Sequence, residues 1–137
     1  MTEKLYIDTN VIIDAVEDRK NMFGKNIGNS ASDLFWSAIS CKYSLIISTW
    51  TLQELAGLGK IETTKMFFEL AKNKIIHVNY TPEEKSEAKQ RSNEHEDDAL
   101  HIIIAEREGA DYIVTRNTDH FNEIGSQIPI KKPEDLI

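Results

Sequence analysis

The chain has 137 residues, of which 40% are hydrophobic, and this is enough to fill the core of one domain over residues 1–137. Its formal net charge of −7 argues against an extended basic groove that would bind nucleic acid by neutralising many phosphates. The single cysteine, Cys41, excludes an internal disulfide framework, and the lack of a long apolar stretch or a signal peptide predicts a cytoplasmic protein that does not enter the membrane.

The first half of the chain alternates strand patterns with helix patterns. It predicts a strand at residues 4–8, a helix at 11–16, a looser stretch at 18–29, a helix at 30–39, a buried strand at 44–48 and a helix from about residue 51 that carries Glu54. The two tryptophans, Trp36 and Trp50, fall in apolar patterns and are interpreted as core or interface residues.

The second half continues the alternation. It predicts a helix around residues 66–71, a strand at 75–78, a mostly polar helix that starts at Pro82, an apolar helix at 96–108, a strand at 110–115, a short irregular or helical piece at 117–124 and a fifth strand at 128–130. Asn93 and Glu96 have the spacing of a capping box, and Gly109 is typical of a helix end.

This alternation predicts an α/β fold with three layers, α/β/α, around a mostly parallel five-stranded sheet. In such sheets ligands bind outside the carboxyl ends of the strands, where the chain order reverses. Asp8 ends the first strand, Asn117 and Asp119 follow the fourth, and Glu54 and Asp98 lie in early turns of helices near the same edge. Oxygen donors of this kind suit Mg²⁺ or Mn²⁺, and a bound cation adds positive charge where a phosphate would sit.

Each candidate residue also fits an ordinary structural role. Asp8 or Thr9 could cap the helix that follows, and Glu54 could be a solvated helix residue. The acids that open the apolar helix of the second half gain from its macrodipole, and Asn117 and Asp119 could stabilise a turn. The residues alone therefore leave a metal site and plain structural roles both open.

Two histidines flank the acids of the segment HEDDALH. His95 and His101 are six residues apart, whereas two zinc ligands on one helical face, as in HExxH, are four apart. The spacing therefore argues against a zinc hydrolase. Since His101 lies one turn beyond Asp98, we expect it to pack beside the site or to bond to a neighbouring carboxylate.

Four segments together resemble the successive motifs of the PIN-domain family, in order and at similar spacing: LYIDTNVIID, STWTLQEL, EDDALHIIIAEREGADYIVTRNTDHF and IPIKKPEDLI. The resemblance implies a parallel five-stranded sheet, an acidic pocket that binds Mg²⁺ or Mn²⁺, and endoribonuclease activity. Many bacterial members are toxins of type II toxin–antitoxin pairs, so the resemblance also implies a homodimer that a small antitoxin protein silences. The helices between residues 30 and 70 are the expected surface for such a partner.

Carried over residue by residue, the resemblance places the first three catalytic acids at Asp8, Glu54 and Asp98, with Asp97 as a second register for the third. The fourth position departs from the family pattern, because Asn117 stands where many members have an aspartate. Whether Asn117 or Asp119 fills this position, and whether one or two metal ions bind, stays open.

The resemblance assigns supporting roles beside these acids. Thr9, Asn10 and Thr115 are expected to donate hydrogen bonds to the metal ligands or to the phosphate.

Two enzyme classes of similar size are excluded by missing residues. A phospho-receiver needs an aspartate after its third strand, where Asn79 stands, and a haloacid-dehalogenase phosphatase needs one at the position of Asn10. The remaining alternative is a PIN scaffold that binds RNA or a protein without cutting. Asn117 is the residue that supports this alternative.

Overall fold

The structure is a computed structural model that describes residues 2–17, 33 and 42–136. The stretch predicted as loose at 18–29 therefore lies outside the described residues, as do Trp36, Cys41 and, apart from Asp33, the helix predicted at 30–39.

The described part contains five strands and six α-helices. The strands are β1 (Glu3–Ile7), β2 (Tyr43–Ser48), β3 (Ile75–Val78), β4 (Tyr112–Val114) and β5 (Ile130–Lys131). The helices are α1 (Thr9–Glu17), α2 (Thr49–Gly57), α3 (Ile61–Ala71), α4 (Pro82–Arg91), α5 (Glu96–Arg107) and α6 (Thr118–Ile124), with short 3₁₀ turns at Lys72–Lys74 and Pro133–Leu136. Within these ranges no helix combines the length and the apolar character that a membrane span requires.

The sheet has the strand order β3-β2-β1-β4-β5, and all four strand pairs are parallel. This confirms the predicted parallel five-stranded α/β fold. The sequence placed the fifth strand at residues 128–130, but β5 lies at Ile130–Lys131, because only these residues pair with Ile113 and Val114 of β4.

Side chains of β1 alternate between the two faces of the sheet, as the period of two in a strand requires. Leu5 and Ile7 pack in a core cluster with residues of α1 and α3. Tyr6 packs on the opposite face, in a second cluster with residues of α4, α5 and α6. Helices thus cover both faces, which gives the three layers, and Tyr6 points to the side that carries α5.

The capping box predicted from Asn93 and Glu96 is wrong. Helix α5 begins at Glu96 with His95 as its N-cap, and no side chain caps it. The turn before it closes differently, because the His95 backbone N–H donates to Ser92 Oγ at 3.0 Å. Asn93 therefore lies two residues too early to cap the helix. The predicted end is confirmed, since Gly109 follows with a φ of 65°.

Helix α4 has the capping box instead. Thr81 accepts a hydrogen bond from the Glu84 backbone N–H at 3.1 Å, and Glu84 accepts one from the Thr81 backbone N–H at 3.0 Å. Pro82 occupies the first turn, where its missing N–H costs nothing. These bonds fix the start of α4, which packs against α5 and so supports the helix that carries Asp98.

Candidate metal centre

The chain order of the sheet reverses between β1 and β4, since β2 and β3 lie on one side of β1 and β4 and β5 on the other. Asp8 follows β1 directly, and its backbone N–H donates to the Val114 carbonyl at 3.0 Å. Thr115 follows β4, and its hydroxyl donates to Asp8 Oδ2 at 2.8 Å. Asp8 and Thr115 therefore meet at the switch point, where ligands bind in open parallel sheets.

Asp8 is almost completely buried, with 3% of its surface exposed. Burial raises the pKa of its carboxyl, His101 and the Thr115 hydroxyl oppose the rise, and the negative charges of Asp98 and Glu54 add to it. A carboxylate held in this way is costly to ionise without a positive charge close by. The surroundings of Asp8 therefore favour a bound cation.

His101 supplies one positive charge beside this carboxylate. Its Nε2 lies 2.6 Å from Glu54 Oε1 and 3.5 Å from Asp8 Oδ1. Burial alone would lower the pKa of His101, but its contacts with Tyr6, Glu54 and Asp8 together raise the pKa well above its usual value. The predicted contact between His101 and a carboxylate is therefore confirmed.

Glu54 is fixed by two hydrogen bonds. The Thr9 hydroxyl and His101 Nε2 both reach Glu54 Oε1 at 2.6 Å. Burial raises the pKa of Glu54, but the hydrogen bond and charge of His101, together with the Thr9 bond, outweigh burial and lower it. Glu54 is thus an ionised carboxylate with a set position in the second turn of α2.

A buried polar chain supports the other nitrogen of His101. His101 Nδ1 lies 2.7 Å from the Tyr6 hydroxyl, which lies 2.8 Å from Ser48 Oγ, and Ser48 Oγ lies 3.3 Å from the Thr51 hydroxyl. All four side chains are fully buried. A protonated His101 donates from both ring nitrogens, so the chain orients the ring towards Glu54.

Asp98 lies in the first turn of α5, within electrostatic range of Asp8 and Glu54. Burial raises its pKa, and His101 and His120 oppose this rise. Its Oδ2 lies 3.5 Å from His120 Nδ1. A depression of about 390 Å³ lined by Glu54 and residues 93–98 reaches Asp98. Asp98 therefore lies at the mouth of the acidic pocket.

The structure thus brings three predicted acids, Asp8, Glu54 and Asp98, to one edge, together with Thr9 and Thr115. The ligand atoms of Asp8, Glu54 and His101 lie within 4.8 Å of one another. Carboxylate oxygens are the donors that Mg²⁺ and Mn²⁺ prefer, and three acids exceed the single charge of His101. The donor set therefore fits a hard divalent cation.

Four predicted residues remain: Asn10, Asp97, Asn117 and Asp119. Asn117 precedes α6, and its backbone N–H donates to Thr115 Oγ1 at 3.0 Å. Asp119 and Asp97 are exposed and belong to neither group of possible metal ligands among the described residues, and Asn10 is half-buried. In place of a fourth carboxylate from α6, the side chain of His120 faces Asp98.

Sequence reasoning missed Tyr6, Ser48 and His120. Tyr6 was detectable in principle, because it stands two residues before Asp8 and so shares its face of β1. Ser48 caps α2, accepting from the Thr51 backbone N–H at 3.2 Å, and this local role gives no sign of its contact with Tyr6. No sequence pattern pointed to His120, because the residues that it contacts, His95 and Asp98, lie at the start of another helix, α5.

Comparison with known proteins agrees with a parallel α/β domain whose acids gather at the switch point. The sequence pattern described as the PIN domain matches residues 4–119, and the chain belongs to this family. No curated protein sequence matches the chain.

Solved structures support the fold. A chain from the crystal structure of VapBC2 from Rickettsia felis, bound to a DNA fragment from its promoter, is similar with a TM-score of 0.60 and 18% sequence identity. The alignment covers 94% of this chain and 98% of that one.

Proposed function

We propose that the chain is a Mg²⁺- or Mn²⁺-dependent endoribonuclease that hydrolyses RNA phosphodiester bonds. The observation that carries this proposal is the buried carboxylate of Asp8, which lies beside Glu54 and near Asp98 at the switch point of a PIN domain. Such an arrangement has a clear electrostatic cost in the absence of a cation. It is therefore better explained by metal-assisted chemistry than by helix capping.

Asp8, Glu54 and Asp98 would hold the cation. When bound, the cation polarises the phosphoryl group and lowers the pKa of an attacking water. Thr115 keeps Asp8 Oδ2 in place, and Thr9 and His101 keep Glu54 Oε1 in place. Because these donors already hold both carboxylates in place, binding needs little rearrangement of Asp8 and Glu54. Asn117 can add a neutral oxygen, which leaves the fourth position without a charge.

Cleavage of a generic RNA in Mg²⁺ or Mn²⁺ tests this proposal. We expect Asp8→Asn and Asp98→Asn to abolish cutting, and Asn117→Asp to leave it intact or improve it by restoring a fourth carboxylate. Asp111→Asn is the matched control, because Asp111 lies at the opposite edge of the sheet, where its Oδ2 accepts from the Lys4 backbone N–H at 2.7 Å. Its cutting rate should equal that of wild type.

The alternative function is a PIN scaffold that binds RNA or a protein without cutting. The exposed position of Asp119 favours this alternative, because the fourth metal-ligand position then lacks an acid. If wild type cuts no better than Asp8→Asn and chelator makes no difference, the nuclease proposal falls. A large loss of cutting in Asn117→Asp would contradict the role given to Asn117.

The chain would act as the toxin of a type II toxin–antitoxin pair. Four large hydrophobic residues near α3 are exposed, namely Leu58 (58%), Ile61 (37%), Met66 (74%) and Leu70 (62%). They fall within residues 30–70, the range in which the partner surface is expected. Exposed apolar residues in a group mark protein interaction sites. The similarity to a chain of the VapBC2 structure also supports a protein partner for this chain. A homodimer stays a prediction.

Co-expression with the product of an adjacent small gene tests the partner. We expect a stable complex that suppresses RNA cutting. The double substitution Met66→Glu and Leu70→Glu should weaken the complex and leave cutting by the free protein unchanged, because both residues lie outside the acidic pocket. Full inhibition of this variant by the same antitoxin would place the partner surface elsewhere.

A further inference from the structure

A second group of possible ligands lies beside Asp98 and consists mainly of nitrogen donors. His95, the N-cap of α5, and His120, in the first turn of α6, stack with ring centroids 4.2 Å apart and an angle of 17° between the rings. The ligand atoms of His95, Asp98 and His120 lie within 4.8 Å of one another. Two helices thus bring two imidazoles and one carboxylate to the same point on the surface.

We propose that His95, Asp98 and His120 form a second cation site, which binds a divalent transition metal such as Zn²⁺ in preference to Mg²⁺. This inference goes beyond the proposed function, because it concerns metal binding that requires no RNA. The zinc motif that the spacing argues against would pair His95 with His101 along one stretch of the chain. The site proposed here pairs His95 with a histidine from another helix.

The distances suit a tetrahedral ion. Ligands about 2.1 Å from zinc lie roughly 3.4 Å apart at a tetrahedral angle. Asp98 Oδ2 and His120 Nδ1 are 3.5 Å apart, so this pair needs almost no movement. His95 must rotate out of its stack to close the site. The side chain of His120 is 48% exposed and that of His95 is 20% exposed, so the His120 ring has the more room to adjust.

The surroundings supply the other features of a metal site. Glu123 Oε2 lies 4.0 Å from His95 Nε2, so a small rotation lets it accept the ring N–H that the metal does not use. The first turn of α5 adds Glu96 and Asp97 to the local negative charge. A fourth position stays open to water through the depression that reaches Asp98.

The donor set decides the class of metal. Imidazole nitrogens suit zinc, copper, nickel and cobalt, whereas Mg²⁺ selects oxygens and rarely gives up its water for nitrogen. The buried acids around Asp8 present mainly oxygens and suit Mg²⁺, while His95 and His120 present nitrogens. Asp98 lies between the two groups, so the pocket would offer two neighbouring positions of different preference.

Zn²⁺ titration by calorimetry, in excess Mg²⁺ that saturates the buried acids, tests the proposal. We expect one tight site in wild type, and His95→Asn and His120→Asn should each weaken it by at least about tenfold. His77→Asn is the matched control, because His77 lies exposed on β3. Asp8→Asn should also keep the site. The d–d absorption of Co²⁺ should show nitrogen ligation in wild type and lose intensity in both variants.

Equal Zn²⁺ affinity in wild type, His95→Asn and His120→Asn would overturn the proposal. The proposal would also be overturned if Asp8→Asn, and neither histidine variant, lost the tight site, because zinc would then bind at the buried acids. Thermal melts of the histidine variants show that they are folded before the titration. The two proposals can also be told apart. If the wild type does not cut RNA but binds zinc tightly, and the histidine variants bind it weakly, the nuclease proposal is refuted and the zinc site is supported.

Discussion

Removal of the Tyr6 hydroxyl tests how the buried polar chain holds the candidate site together. Tyr6→Phe keeps the ring, which is fully buried, and deletes the oxygen that lies 2.7 Å from His101 Nδ1 and 2.8 Å from Ser48 Oγ. A hydrogen bond to a charged group contributes about 1.5–3 kcal/mol, and we expect a loss of unfolding free energy in this range.

The size of this loss depends on pH. The folded pKa of His101 is raised above the value of 6.5 expected in the unfolded chain. The stability it contributes is therefore fully present below about pH 6.5 and is lost as pH rises through the folded pKa. Tyr6→Phe should cost most at pH 6 and about 0.5–1.5 kcal/mol once His101 is neutral, since only a neutral hydrogen bond is then lost.

Urea unfolding in EDTA, at pH 6 and at a pH where His101 has lost its proton, measures both quantities. Tyr43→Phe is the matched control: Tyr43 is 4% exposed, and its hydroxyl donates to the Leu136 carbonyl at 3.0 Å, a backbone acceptor that does not titrate. Its cost should be about 0.5–1.5 kcal/mol at both pH values. Equal costs for Tyr6→Phe and Tyr43→Phe at pH 6 would refute a charged His101 bound to Tyr6.

Three further predictions concern stability. Without metal, wild-type stability should fall as pH rises above about 6.5, because His101 loses its charge beside Glu54, and His101→Gln should flatten this part of a urea-midpoint profile. Mg²⁺ at about 100 times its dissociation constant should add about 2.7 kcal/mol to wild type and nothing to Asp8→Asn, as thermal melts would show. Phe121→Ala should cost about 3–5 kcal/mol in urea, since this α6 side chain is fully buried, and a loss under 1 kcal/mol would contradict its place in the core.

The fold could be predicted from the sequence because strand and helix patterns alternate and each strand is short and apolar. The strand at residues 75–78 was predicted with its observed bounds. The positions of Asp8 and Thr115 at one edge also followed, because parallel strands end at the same side of a sheet. Here the local pattern and the topology agree, so the positions of Asp8 and Thr115 could be predicted without the structure.

The contacts between helices could not be predicted. His120 meets Asp98 because α6 packs against α5, and neither helix carries a signal for the other. The error at Asn93 is of another, local kind: the spacing to Glu96 fits a capping box, but Ser92 closes the preceding turn and the helix starts later. Side-chain partners set by packing between elements leave no pattern along the chain.

The central position of β1 has a consequence for how the molecule folds. The first strand pairs on one side with β2 and on the other with β4, whose residues lie about a hundred positions later in the chain. Contacts so distant in sequence make folding slow, because a long loop must close before they form. A growing polypeptide that has not yet reached β4 has no partner for one edge of β1 and no Thr115 beside Asp8. Assembly of the acidic pocket must therefore be a late event, and a product truncated before β4 would lack the bond that holds Asp8 however well its first helices form.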